Sequence, residues 1–246
     1  MTVPVARAEY ARALMLELFP QGFEEREGTG GVELIAYTDA GGEERLWAAF
    51  GGARSTDVEE GWEDRWRAFH RPVRVGPLWI GPPWETPDAD AAAVVIDPGR
   101  AFGTGGHATT RLCLELLLVE PGGSLLDIGC GSGVLSIAAA RLGYGPVVAL
   151  DSDPLAVEAT AQNAKVNGVE VEARLADATT VDLPVVDTAV LNVALEVDLA
   201  IAPRLDAARA ITSGYLVSEE PQLPGYRREQ RLQVDGWAAD LHVRTK

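Results

Sequence analysis

Two features of this 246-residue chain could do chemistry together: a cluster of glycines and the carboxylate that follows it. Leu125 is followed by LDIGCGSG, Leu126 to Gly133, which sets Gly129, Gly131 and Gly133 at GxGxG spacing. Residues without a Cβ let a ligand approach the main chain closely. Asp127, just ahead of them, is placed to orient the loop or a ligand's amino group. Asp151, in VVALDSDP, lies 22 residues beyond Gly129. A carboxylate at such a strand end can accept hydrogen bonds from the 2′- and 3′-hydroxyls of a ribose. That implies an adenosine and leaves the reaction open, because NAD and S-adenosylmethionine carry the same ribose. The GxGxG spacing nevertheless departs from the GxGxxG of most dinucleotide pyrophosphate loops. Asp177, in LADA, can accept from the exocyclic amine of an adenine or be a solvated loop acid. Asn192, in AVLNV, offers a side-chain carbonyl that can orient an attacking amine without a charge that would retain its proton.

These residues need strand ends to hold them, and the hydrophobic pattern supplies strands. Strand Ser124 to Ile128 leads to helix Val134 to Leu142, strand Val147 to Leu150 to helix Pro154 to Asn167, and strand Val169 to Leu175 to a short connection. Strand Thr188 to Asn192 precedes a helix over Val197 to Ala208, and Ile211 to Ser218 reads as the next strand. Such alternation predicts a doubly wound α/β fold with a mostly parallel sheet and helices on both faces. Arg231 to Val234 and Trp237 to Val243 flank Asp235-Gly236, a pair that favours a type I′ turn and hence an antiparallel hairpin at the end. Upstream lie strands at Val73 to Ile80 and Ala92 to Ile96, a loop carrying Gly99, Gly103, Gly105 and Gly106, and a helix from about Thr109 to Leu118.

The first 60 residues read as a small α+β domain. Its elements are a strand near Val3 to Val5, a helix over Ala8 to Leu18, strands around Gly22 to Arg26 and Val32 to Thr38, a helical piece over Glu43 to Phe50, and a strand near Arg54 to Val58. Residues 61–90 read as a linker helix and connecting strand, with Trp62, Trp66 and Phe69 forming one aromatic face, and residues 91–246 as the catalytic domain.

Composition narrows the function classes. A formal net charge of -16 repels phosphate backbones and argues against direct nucleic-acid binding, while it would attract a basic partner. No apolar run reaches the roughly 18 to 20 residues of a membrane span and no secretory signal opens the chain, so a cytoplasmic location is expected. Cys113 and Cys130 lack metal-ligand spacing, no metal is expected, and both read as small buried hydrophobes.

The run DPGRAFGTGGHATTRLCLELL, followed by LDIGCGSGVLSIAAARLG, LDSDP, LNV and SGYLVSE, resembles the bacterial methyltransferases that modify ribosomal large-subunit protein eleven. The likeness covers roughly residues 60 to 246 and is most specific in AFGTGGHATTR. It implies a class I, Rossmann-like fold with a seven-stranded sheet, in which the terminal hairpin is a feature that most dinucleotide-binding domains lack. S-adenosyl-L-methionine is the implied cofactor and the amines of that ribosomal protein are the implied substrate. By this likeness Phe102, Thr110, Gly129, Asp151 and Asn192 match cofactor-contacting positions, with His107 and Thr109 in the same segment before the helix. Asn192 and His107 are the candidates for catalysis, and Asp127, Gly131, Gly133 and Asp177 complete the cofactor set. Two departures stand out: Gly106 replaces a larger polar residue, and EEPQLP, between Ser218 and Gly225, is short and proline-broken where the family carries a helix. A methyltransferase of another protein or a small amine, a nicotinamide-dependent oxidoreductase and an inactive adenosine-binding module are the competing readings. A nucleic-acid base methyltransferase would show Asn/Asp-Pro-Pro-aromatic where Asn192 is followed by Val193-Ala194-Leu195.

Overall fold

The computed structural model describes residues 2–4, 7–19, 24–28, 31–36, 40–52, 71–97 and 105–245. The expected strand over Arg54 to Val58, the linker helix with Trp62, Trp66 and Phe69, Gly99, Phe102 and Gly103 lie outside them. The chain divides into two compact units, residues 1–63 and 64–246.

In the first unit, β1 (Thr2–Val3), β2 (Glu24–Gly28) and β3 (Gly31–Ile35) form an antiparallel sheet in the order β1-β3-β2, accompanied by α1 (Ala8–Leu18) and α2 (Ala40–Phe50). The apolar residues of α1 recur at helical spacing, so Ala8, Ala11 and Met15, with Phe19 at the helix end, are buried on one side. Val3, Leu34 and Leu46 complete that core.

The second unit holds a seven-stranded sheet in the order β12-β13-β11-β10-β7-β8-β9. Its strands are β7 (Leu125–Ile128), β8 (Val147–Asp151), β9 (Glu172–Leu175), β10 (Val186–Asn192), β11 (Ala207–Leu216), β12 (Tyr226–Val234) and β13 (Trp237–Arg244). All neighbours from β9 to β11 run parallel, and only β13 against β11 and β12 is antiparallel. This is the doubly wound class I arrangement. The closing hairpin turns at Asp235 and Gly236, both at positive φ (52° and 82°), as a type I′ turn requires. One face of the sheet is covered by α3 (Ala108–Val119) and α4 (Val134–Arg141) through Leu112, Leu116, Leu135 and Ile137. On the other face Leu126, Leu150, Ala189 and Leu191 pack with Ile201 and Ala202, at the end of α6 (Leu195–Ile201).

Three elements differ from the sequence pattern. Residues 73–80, read as one strand, are two: β4 (Val73–Val75) and β5 (Leu78–Gly81) pair antiparallel about Gly76, whose φ is +55°, and β5 then runs parallel to β6 (Ala92–Val95). The helix expected over Val197 to Ala208 stops at Ile201 in a 3-10 turn, Ala202–Arg204, and Ala207 already opens β11. Pro203 explains the stop, since its ring and missing N–H break an α-helix. Third, the strand expected from Arg231 starts earlier, at Tyr226. Between β11 and β12, residues 217–225 form turns and no helix, in keeping with the proline-broken EEPQLP. A polar stripe on α5 (Pro154–Asn167) fastens β6: the Asn167 carboxamide accepts from the Val95 N–H at 2.8 Å and donates to the Val95 carbonyl at 2.7 Å, as a neighbouring strand would. Among the described residues no helix is long and apolar enough to cross a membrane.

Candidate functional site

In the parallel part of the sheet the strand order reverses at β7, between β8 on one side and β10 on the other. Connections leave in opposite directions there, which opens a crevice at the carboxyl ends of the strands. A cavity of about 350 Å³ occupies that place, within the range of small-molecule sites. Gly129 and Gly131 after β7, Asp151 at the end of β8, Asp177 after β9, Asn192 at the end of β10 and Thr110 on α3 all line it. Residues far apart in the chain, singled out by type and spacing or, for Thr110, by the family resemblance, thus face one space.

The glycine loop is built by close approach. Gly129, Gly131 and Gly133 all have positive φ (73°, 54° and 81°), and a Cβ on Gly129 would collide with the Val193 side chain. At Gly133 a Cβ would meet Thr160 of α5 at 2.9 Å, so the third glycine serves helix packing. The α5 side chains hold the loop in return: the Thr160 hydroxyl donates to the Gly131 carbonyl at 3.0 Å and the Asn163 amide to the Ser132 carbonyl at 2.9 Å. Sequence reasoning missed both residues; the signal was two polar side chains on the buried stripe of α5.

Asp151 reads as part of the same loop. Its Oδ2 accepts from the Gly131 N–H at 3.0 Å and its Oδ1 from the Asp153 N–H at 2.9 Å. Each carboxylate oxygen has a second lone pair, so the group can take two ligand hydroxyls while these bonds hold it in place. Asp127 is 1% exposed and does not line the cavity. Its Oδ2 accepts from the Ser136 N–H at 3.1 Å and hydroxyl at 2.5 Å, which ties β7 to the first turn of α4. Burial pushes its carboxyl up to about 6. Of its two expected roles, the geometry supplies the orientation of the loop.

Asp177 is exposed at the cavity edge, and its Oδ1 accepts from the Thr179 hydroxyl and N–H at 2.6 and 2.9 Å. Those bonds hold its carboxyl below the usual range, so it remains an acceptor. The Asn192 side-chain amide lies 3.4 Å from the Thr110 hydroxyl, joining the end of β10 to the first turn of α3. His107 is exposed, outside the cavity lining, and serves as the N-cap of α3: its Nδ1 lies 2.8 Å from the Thr109 hydroxyl and 3.4 Å from the Thr109 N–H. Its ring packs edge-on against Trp237 with centroids 5.0 Å apart. His107 thus stands outside the cavity that Asn192 lines. Gly106 is exposed with open space around its Cβ direction, so a larger side chain would fit there. Cys113 and Cys130 are both buried, and Cys130, its thiol pushed up to about 12 by burial, also lines the cavity.

Comparison with known proteins follows the same outline. The model of one family, described as "Ribosomal protein L11 methyltransferase (PrmA)", matches residues 36–238. The chain belongs to that family. A ribosomal protein L11 methyltransferase of Symbiobacterium thermophilum is 40% identical over 206 residues, 76% of this chain and 66% of the relative. One from Pelotomaculum thermopropionicum is 45% identical over 166 residues, 65% of this chain and 53% of the relative. The chain thus spans about two thirds of the length of the first and half of the second. Among solved structures, ribosomal protein L11 methylase from Lactobacillus delbrueckii subsp. bulgaricus superposes with a TM-score of 0.63 at 26% identity, over 72% of this chain and all of that one.

Proposed function

We propose that this protein transfers methyl groups from S-adenosyl-L-methionine to amino groups of ribosomal large-subunit protein eleven, either lysine side chains or the N-terminal amine. One observation carries the reading: Gly129, Asp151, Asp177 and Asn192, from four successive strand ends of the crevice, line a single cavity in a chain of the L11 methyltransferase family. The fit to the cofactor rests on the same residues. Asp151 presents a fixed carboxylate for the ribose hydroxyls, the glycines, having no Cβ, clear the space where its methionine part passes, and Leu150, Ala176 and Ala178 offer an apolar slot for the base.

When bound, the cofactor supplies an electrophilic methyl group on a sulfonium that departs as a neutral thioether, so no acid is needed for the leaving group. Positioning then dominates. Asn192, steadied by Thr110, aligns the incoming amine at the end of β10. For a lysine of ordinary pKa, losing the proton at neutral pH costs on the order of 4 kcal/mol, and a partly buried site beside a positive charge lowers that cost by disfavouring the ammonium. The first unit presents the basic substrate, and a net charge of -16 speeds that encounter and makes it salt-sensitive.

The test incubates the full chain with purified ribosomal protein L11 and methyl-labelled cofactor and follows intact mass. Methyl increments located on amines of that protein are the expected result. Label that lands instead on another protein or a small amine would replace the substrate and keep the chemistry.

A further inference from the structure

Beside the cavity lies a buried carboxyl group for which the described residues offer no partner. Asp198 sits on α6 between Val197 and Ile201, which both line the cavity, yet it does not line the cavity itself and is fully buried. Among the described residues neither carboxyl oxygen has a hydrogen-bond partner. Cys113 on α3 and Tyr215 on β11, buried in the same region, are both raised by burial and therefore neutral. Behind Tyr215 stands Asp240, whose hydrogen bond to the Tyr215 hydroxyl is 3.0 Å and whose nearest cations are Arg231 and Arg228, at 3.6 and 3.9 Å. Those arginines face Asp240, and Asp198 makes no ion pair among the described residues. The packing places Asp198 beside the reacting end of the cavity: α6 packs on β11, where Ser213 stands opposite Asn192 in the β10–β11 register, and Cys113 lies one turn beyond Thr110 on α3.

A buried carboxylate without a partner is among the costliest groups a fold can carry. Such a group persists where its partner arrives with a ligand, in the way that other locally unfavourable groups mark functional sites. Resting on the methyl-transfer reading, we propose that Asp198 is the counter-charge of the reaction centre, acting across the Val197 and Ile201 wall on an onium cation, sulfonium or ammonium, at the Asn192 end of the cavity. It is a positioning residue, since it touches neither reactant. In the empty protein burial pushes its carboxyl up to about 9, so it rests protonated at neutral pH. A cation nearby reverses that preference, and one proton leaves to solvent as the cation settles.

The experiment titrates the full chain with S-adenosylmethionine, which carries the sulfonium, and with S-adenosylhomocysteine, which does not. Calorimetry in two buffers of different ionisation enthalpy, at pH 7.5, reads the protons released. Release on binding S-adenosylmethionine alone assigns Asp198 to the sulfonium. Release only when ribosomal protein L11 joins the homocysteine-loaded protein assigns it to the ammonium. Either supports the proposal, and in Asp198→Asn the release should vanish while preference for the cationic ligand falls on the order of tenfold. Equal proton traces for both ligands and for the ternary mixture in the native protein, which needs no variant, would overturn it. Failure of the native protein to bind either nucleoside would instead count against the methyl-transfer reading itself.

Discussion

Replacing Asp151 by Ala is the most direct probe of the cavity, because its carboxylate serves the loop and the ligand at once. In the structure it accepts from the N–H groups of Gly131 and Asp153 at 3.0 and 2.9 Å, and in the proposed complex it also accepts two ribose hydroxyls. Hydrogen bonds to a charged group are worth about 1.5 to 3 kcal/mol each. Losing the two ribose bonds therefore costs at least about 3 kcal/mol, on the order of 100-fold in Kd. The two backbone donors are left to water in a half-buried place, which should lower unfolding stability by about 1 kcal/mol. Asp151→Asn keeps one acceptor oxygen and should lose roughly tenfold in affinity. Calorimetry with S-adenosylhomocysteine measures the affinities, and urea unfolding of the same samples measures the stability. If Asp151→Ala lost stability by the expected amount but bound the ligand within threefold of the native protein, the carboxylate would be a loop fastener only and the ribose assignment would fall.

Asn192→Ala should lower turnover far more than cofactor affinity, since its proposed task is to align the amine in the transition state; normal turnover with weakened cofactor binding would make it a binding residue. Asp198→Asn should change the pH dependence of stability. With its carboxyl at about 9 when folded, against about 3.9 when unfolded, Asp198 contributes stability that is fully present below pH ~4 and declines as pH rises toward 9. The Asn variant therefore gains on the native protein between pH 5 and 8 by about 1.4 kcal/mol per unit, apart from a constant offset, and a pH-independent gap in urea unfolding would refute this. Gly214→Ala should destabilise by about 2 kcal/mol or more, because Gly214 has a φ of +109° and an added Cβ would strike the Val193 carbonyl; a thermal midpoint equal to the native value would show that the loop after β10 yields easily.

What the sequence determined by itself was everything that local chemistry decides. The GxGxG run, Asp151 at its strand end, the alternation of strands with helices and the Asp235-Gly236 turn each act over a few residues, through Cβ sterics, hydrophobic period and positive φ, and each reappears in the structure. Gly129, Asp151, Asp177 and Asn192 were legible for that reason. Where two local signals compete, the pattern alone misled: an apolar run through Val73 to Ile80 hid the turn at Gly76, and Pro203 cut short a helix that periodicity would have continued to Ala208. What only the tertiary structure decided is which polar groups find partners. Thr160 and Asn163 hold the glycine loop, Asn167 stands in for a strand beside Val95, His107 turns to its own helix end, and Asp198 is buried with no partner among the described residues. A residue's type fixes what it can donate or accept, but burial and partnership depend on which distant segments pack around it, and no spacing along the chain encodes that.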